Sequence, residues 1–176
     1  VPPIDRHLAL VGLMGAGKST VGRRLAAAWG RPFVDLDEAI VAMAGRPIPE
    51  QFATEGEAVF RDRETAALRT ALAAPEPVVV ATGGGVVLRD ENRALLGEHA
   101  VVVWLDASVE ALAARVGDGA GRPLLADGPE ERLRTLDGAR RPLYESVADL
   151  RVDTSGLGAD EVVAAVEAGL AAGVAS

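Results

Sequence analysis

Gly12-Leu13-Met14-Gly15-Ala16-Gly17-Lys18-Ser19 reads G-x-x-x-x-G-K-S, a spacing suited to holding nucleotide phosphates. Glycines let successive backbone N–H groups turn inward onto phosphate oxygens without a Cβ clash. A helix starting at Lys18 aims its positive end at the same anion. Lys18 supplies a point charge for the β- and γ-phosphates, and the Ser19 hydroxyl can ligate Mg²⁺. ATP and Mg²⁺ are therefore the expected ligands. The loop does not name a phosphoryl acceptor, because unrelated enzymes share it.

Other residues bear on the acceptor. Asp35 and Asp37 flank Leu36 at the end of an apolar run. Period-two alternation in a strand would put both carboxylates on one side, one for a metal-bound water and one for a substrate hydroxyl. The competing reading is a helix cap, where Asp is favoured. Arg61 has Glu57 four residues before it and Glu64 three after it. The three can share a helix face, and on pattern alone an exposed salt-bridge ladder is the simpler reading. Gly83-Gly84-Gly85 follows an apolar strand and reads as a tight turn or a close approach to a ligand. Arg122 in Arg122-Pro123-Leu124-Leu125 could bring charge to a transferring phosphate. Arg140-Arg141-Pro142-Leu143-Tyr144 sets two cations beside a proline, and a guanidinium fork suits a substrate carboxylate.

These residues need elements to carry them. The pattern predicts strands at Leu8–Val11, Phe33–Leu36, Val78–Ala81, Val101–Leu105 and Leu150–Val152. Helices are predicted at Lys18–Trp29, Ala39–Ala44, Glu50–Ala73 with a break near Gly56, Arg89–Leu96, Val109–Val116, Glu130–Ser146 strained near Pro142, and Ala159–Ala172. Gly117 to Gly128 reads as a mobile loop. Alternating strands and helices imply an α/β domain, a parallel sheet covered on both faces. Ligands in such sheets sit at the carboxyl ends of the strands, where these motifs fall.

The 176 residues fit a single domain, and 49% hydrophobic content allows a core. No apolar run is long enough for a membrane span, and Val1 to Arg6 has no apolar signal core, so cytoplasmic residence is expected. There is no cysteine, which removes disulfides and thiolate metal sites. A net charge of -8 and 3% aromatics argue against nucleic-acid binding. A small acidic chain is expected to be a monomer.

Taken in order, Gly12–Thr20, Asp35-Leu36-Asp37, Phe52-Ala53-Thr54-Glu55-Gly56-Glu57, Phe60-Arg61, Glu64, the glycine triplet, Arg122-Pro123-Leu124-Leu125 and Arg140 with Pro142-Leu143-Tyr144 resemble shikimate kinase from Leu8 to about Ala171. The resemblance implies a three-layer P-loop kinase fold, similar to nucleoside monophosphate kinases, whose five-stranded parallel sheet has the order 2-3-1-4-5. It implies transfer of the ATP γ-phosphoryl group to the 3-hydroxyl of shikimate. It places ATP against Gly15, Ala16, Gly17, Lys18, Ser19, Thr20, Arg115 and Arg122, with Arg115 packing on adenine. Shikimate would meet Asp37, Arg61, Gly83, Gly84, Gly85 and Arg140, with Glu64 orienting Arg61 and Phe52 and Phe60 lining the pocket. Lys18, Asp37 and Arg122 would be catalytic, Asp37 as the candidate base. Ser19 and Asp35 would hold Mg²⁺, the latter through water. The shikimate-binding region would span about 37–64 and the lid about 117–128. Ala81 stands where other members carry serine, and Arg141 is an extra cation beside Arg140. The alternatives are a gluconate kinase of the same fold, a nucleotide-binding switch, and a catalytically dead relative. A switch could dispense with Asp37, Arg61 and Arg140, and a dead relative would have lost a key position.

Overall fold

Leu8 to Val11 is apolar without interruption and entirely buried, the pattern of a strand covered on both faces. It forms most of β1 (His7–Val11). The computed structural model describes residues 2–117 and 128–173. The other strands are β2 (Phe33–Asp35), β3 (Val79–Ala81), β4 (Ala100–Asp106) and β5 (Leu150–Asp153). All pair in parallel, in the order β2-β3-β1-β4-β5. The order reverses beside β1, between the crossovers to β3 and β4. The carboxyl end of β1, at Gly12, is therefore the crevice that parallel sheets leave open to ligands.

Seven α-helices are formed among the described residues: α1 (Lys18–Trp29), α2 (Leu36–Ala44), α3 (Ile48–Leu72), α4 (Asp90–His99), α5 (Val109–Val116), α6 (Pro129–Val147) and α7 (Ala159–Gly173). α1 packs against α7 and β3, while α4 packs against α3, α6 and β4. α1 ends at Gly30 in the left-handed conformation, a favoured stop. α3 breaks where expected: Gly56, at φ 83 and ψ 170, is not helical. α6 runs through Pro142 without a break. The proline removes one helical donor, to the carbonyl of Gly138, and the surrounding packing holds the helix. A short 3-10 turn, Val86–Leu88, follows the glycine triplet and was not anticipated.

One contiguous core joins the strands to these helices. Trp104 on β4 and Tyr144 on α6 are its bulkiest fully buried side chains. Their rings stack with centroids 5.7 Å apart. Among the described residues no helix is long and apolar enough to cross a membrane.

Candidate active site

The phosphate loop joins β1 to α1. Gly12 has φ +145, and a Cβ there would lie 2.4 Å from the Leu105 carbonyl oxygen of β4. Glycine is therefore required by both conformation and space. Gly17 caps α1 in the left-handed region, with no side chain closing the helix end. That leaves first-turn N–H groups to an anion. Lys18 is 8% exposed. Its ammonium donates to the carbonyl oxygens of Gly12, at 2.6 Å, and Leu13, at 3.0 Å.

The sequence argument for Asp35 and Asp37 is corrected by the backbone. β2 ends at Asp35, and Leu36 already belongs to α2. Strand alternation therefore does not relate the two carboxylates. Asp35 is the N-cap: its Oδ1 accepts from the N–H groups of Asp37, at 3.0 Å, and Glu38, at 3.3 Å. Its Oδ2 accepts from the Ser19 hydroxyl at 2.5 Å. Capping and contact with the phosphate loop are thus carried by one carboxylate, which ties α2 to α1. Asp37 lies in the first turn of α2 and faces the glycine triplet. A Cβ on Gly83 would stand 3.2 Å from its Oδ1.

The triplet is surrounded by the acceptor-side residues. None of its members has a positive φ, so backbone conformation does not explain three glycines. Space does. A Cβ on Gly83 would fall 2.7 Å from Glu64 Oε2, and one on Gly85 2.4 Å from Arg61 Nη1. A Cβ on Gly84 would approach Arg140 Nη1 at 3.2 Å.

Arg61 is 7% exposed and Glu64 0%, so the exposed salt-bridge ladder is excluded. Arg61 donates to Glu64 at 2.8 Å and to Glu57 at 3.2 Å. Burial pushes the Glu64 carboxyl above its usual range despite the opposing pull of Arg61. Glu64 Oε2 and Arg61 Nε have no hydrogen-bond partner among the described residues. Phe60 packs under the Arg61 guanidinium and touches Phe52, ring centroids 4.8 Å apart.

Arg140 is 3% exposed, and burial lowers its hold on its proton, with Arg61 adding repulsion. Among the described residues it forms no salt bridge. Arg141 points elsewhere. It is bound by Asp106 at 2.9 and 3.1 Å and by Asp137, and lies over the Trp104 ring. Of the two adjacent cations, Arg140 alone enters the site.

A cavity of about 320 Å³ lies between the phosphate loop and the glycine triplet. Gly15, Gly17, Lys18, Ser19 and Thr20 line one side, and Asp37, Thr82, Gly83 and Gly84 the other. Arg115 closes it at the edge and also lines a second recess of about 170 Å³ with Ala16, Thr20, Thr154 and Leu157. Arg115 is not a free stacking group: it donates to the Gly15 carbonyl and to the hydroxyl and carbonyl of Thr154. Thr154 and Leu157 were not identified from sequence, although Thr154 directly follows β5, where ligand-binding loops belong. Beside Ala81, the Thr82 hydroxyl donates to the Leu10 carbonyl at 2.8 Å. Arg122, and the lid segment apart from Gly117 and Gly128, lie outside the described residues.

Ser19 and Asp35 offer hydroxyl and carboxylate oxygens, hard donors that suit Mg²⁺. No group of three or more His, Cys, Asp or Glu converges among the described residues.

The sequence model of the shikimate kinase family matches residues 14–170. A shikimate kinase from Chromohalobacter salexigens is 52% identical over 157 residues, covering 89% of this chain and 87% of its own. The structure of shikimate kinase from Acinetobacter baumannii in complex with shikimate superposes with a TM-score of 0.88 at 40% identity, over 92% of this chain and 90% of the other. A gluconokinase from Sinorhizobium meliloti shares the fold at a TM-score of 0.60 and 26% identity, over 95% of this chain and 92% of the other. A shared phosphate loop alone does not produce agreement of the first two kinds over nearly whole chains. The chain belongs to the shikimate kinase family.

Proposed function

We propose that this chain transfers the γ-phosphoryl group of ATP to the 3-hydroxyl of shikimate, giving shikimate 3-phosphate and ADP on the route to chorismate and the aromatic amino acids. The observation that carries the reading is Arg140. A buried guanidinium with no carboxylate partner among the described residues is unfavourable. A substrate carboxylate beside Gly84 would complete it. Arg61, whose Nε is also without a partner, would close the clamp from the other side of the triplet.

In this reading the phosphate loop holds the β- and γ-phosphates on its N–H groups, and Lys18 leaves the loop carbonyls to neutralise them. Ser19 would ligate Mg²⁺ and Asp35 would hold its water. When bound, the ion would supply charge neutralisation at the phosphates. Asp37 orients the acceptor hydroxyl and takes its proton as the oxygen attacks in line. Positioning and charge neutralisation do most of the work, because the transition state is loose. Arg122 joins the proposal on its motif, as a cation for the transferring phosphate. Arg115, Thr154 and the recess beside them would seat the adenine. The reading extends to a cytoplasmic monomer, for which sedimentation is the check.

The test is ADP release coupled to a reporter, with ATP, Mg²⁺ and each of shikimate, gluconate and nucleoside monophosphates. Turnover with shikimate alone is expected. Gluconate turnover at a comparable rate would sink the reading. A gluconate kinase has no need for two buried arginines about a glycine triplet.

A further inference from the structure

The chemistry above leaves Tyr144 without a role, yet its side chain joins two elements of the site. It is fully buried, one helical turn beyond Arg140 on α6. Its hydroxyl donates to the Gly84 carbonyl at 2.5 Å, joining α6 to the glycine triplet. The Arg140 guanidinium approaches the same peptide, since a Cβ on Gly84 would stand 3.2 Å from its Nη1, and the phenol oxygen favours its positive charge. The hydroxyl therefore donates to the peptide that the guanidinium approaches, and its lone pairs leave it able to accept as well. Burial raises the phenol's pKa, so it remains a donor throughout the physiological range. The ring is held independently, stacked on Trp104.

We propose that Tyr144 is a positioning residue for the acceptor site: its hydroxyl locks the Arg140 guanidinium to the Gly84 peptide, in the pose that reads a substrate carboxylate. The proposal rests on the shikimate reading. Arg140 forms no salt bridge among the described residues and feels Glu64 only through space, and a guanidinium free to change rotamer loses the entropic advantage of a fixed fork. Gly84 leaves the necessary room, since a Cβ there would press on Nη1 at 3.2 Å. A packing role alone would need only the ring.

Tyr144→Phe separates the two, because it keeps the stack on Trp104 and removes only the hydroxyl. Calorimetric Kd and steady-state KM for shikimate should rise about tenfold, the scale of one hydrogen bond to a charged group. KM for ATP and the melting temperature should stay near wild type. In an Arg140→Lys background the same change should cost much less, because the geometry it protects is already lost. An unchanged shikimate Kd overturns the proposal. So does a parallel rise in both KM values with a lower melting temperature, and so does full additivity with Arg140→Lys. Failure of the functional reading shows separately, as no shikimate turnover by the wild-type protein, and takes this proposal with it.

Discussion

Arg140 and Arg141 are neighbours in sequence with opposite fates, and charge does not distinguish them. Their surroundings do: Arg141 finds Asp106 and Asp137, while Arg140 is directed to Gly84 and Tyr144. The same principle governs Asp35 and Asp37. Asp35 is turned towards the α2 cap and Ser19, whereas Asp37, beside Glu64, faces Gly83. Asp37→Asn keeps the size and loses the base. It should lower kcat by about 10²- to 10⁴-fold with KM for ATP nearly unchanged. Equal turnover in the variant would remove Asp37 from the chemistry. Gly85→Ala probes space rather than charge. Its Cβ would occupy the place of the Arg61 guanidinium, 2.4 Å away. The flexible arginine should yield, uncoupling from Glu64, so KM for shikimate should rise roughly tenfold or more while ATP binding is spared. An unaltered KM would show that Arg61 reads nothing in the substrate.

At the scale of elements, the sequence was legible wherever a local pattern decides the outcome. The buried apolar run before Gly12, the helical spacing after Lys18, and the break at Gly56 are all local, and the structure has them where they were expected. The end of β2 was misplaced because an N-cap is made by a side chain reaching forward to Asp37 and Glu38, which periodicity does not record. Partner choice was also illegible. Helical neighbours differ by about 100° in direction, so which of Arg140 and Arg141 faces the site depends on Asp106, far away in sequence. Asp106 is 7% exposed and accepts from both Arg141 and Arg151, whose guanidinium groups flank Trp104. It pins α6 and β5 to the end of β4. Asp106→Ala should therefore cost about 2 kcal/mol of stability, read as a lowered urea midpoint, with KM for shikimate changing little. A lost shikimate affinity at unchanged stability would mean that this network serves the site and not the scaffold.

At the scale of the molecule, the end of the sheet opposite the ligands carries its own titration. His7 starts β1, and its Nδ1 accepts from the Val78 N–H at 3.1 Å. The imidazole thereby ties the start of β1 to the entry of β3. Only the neutral ring can accept at Nδ1. Burial, chiefly, and then His99, Arg31 and Arg6 hold its pKa below the usual 6.5. A depressed folded-state pKa gives stability that is present above the unfolded value and is lost as pH falls through the folded one. Glu64 acts in the opposite sense. Its raised pKa gives stability that is present below the ordinary 4.5 and lost as pH rises through the folded value. The whole-chain pH curve mixes the two, so the histidine must be isolated by difference. His7→Leu keeps bulk and removes the hydrogen bond. The wild-type advantage should be about 1 kcal/mol near neutral pH, shrinking as pH falls below 6.5. Unfolding curves for both proteins, taken between about pH 5 and 8, measure it. A constant gap across that range would show that the ring acts by packing alone.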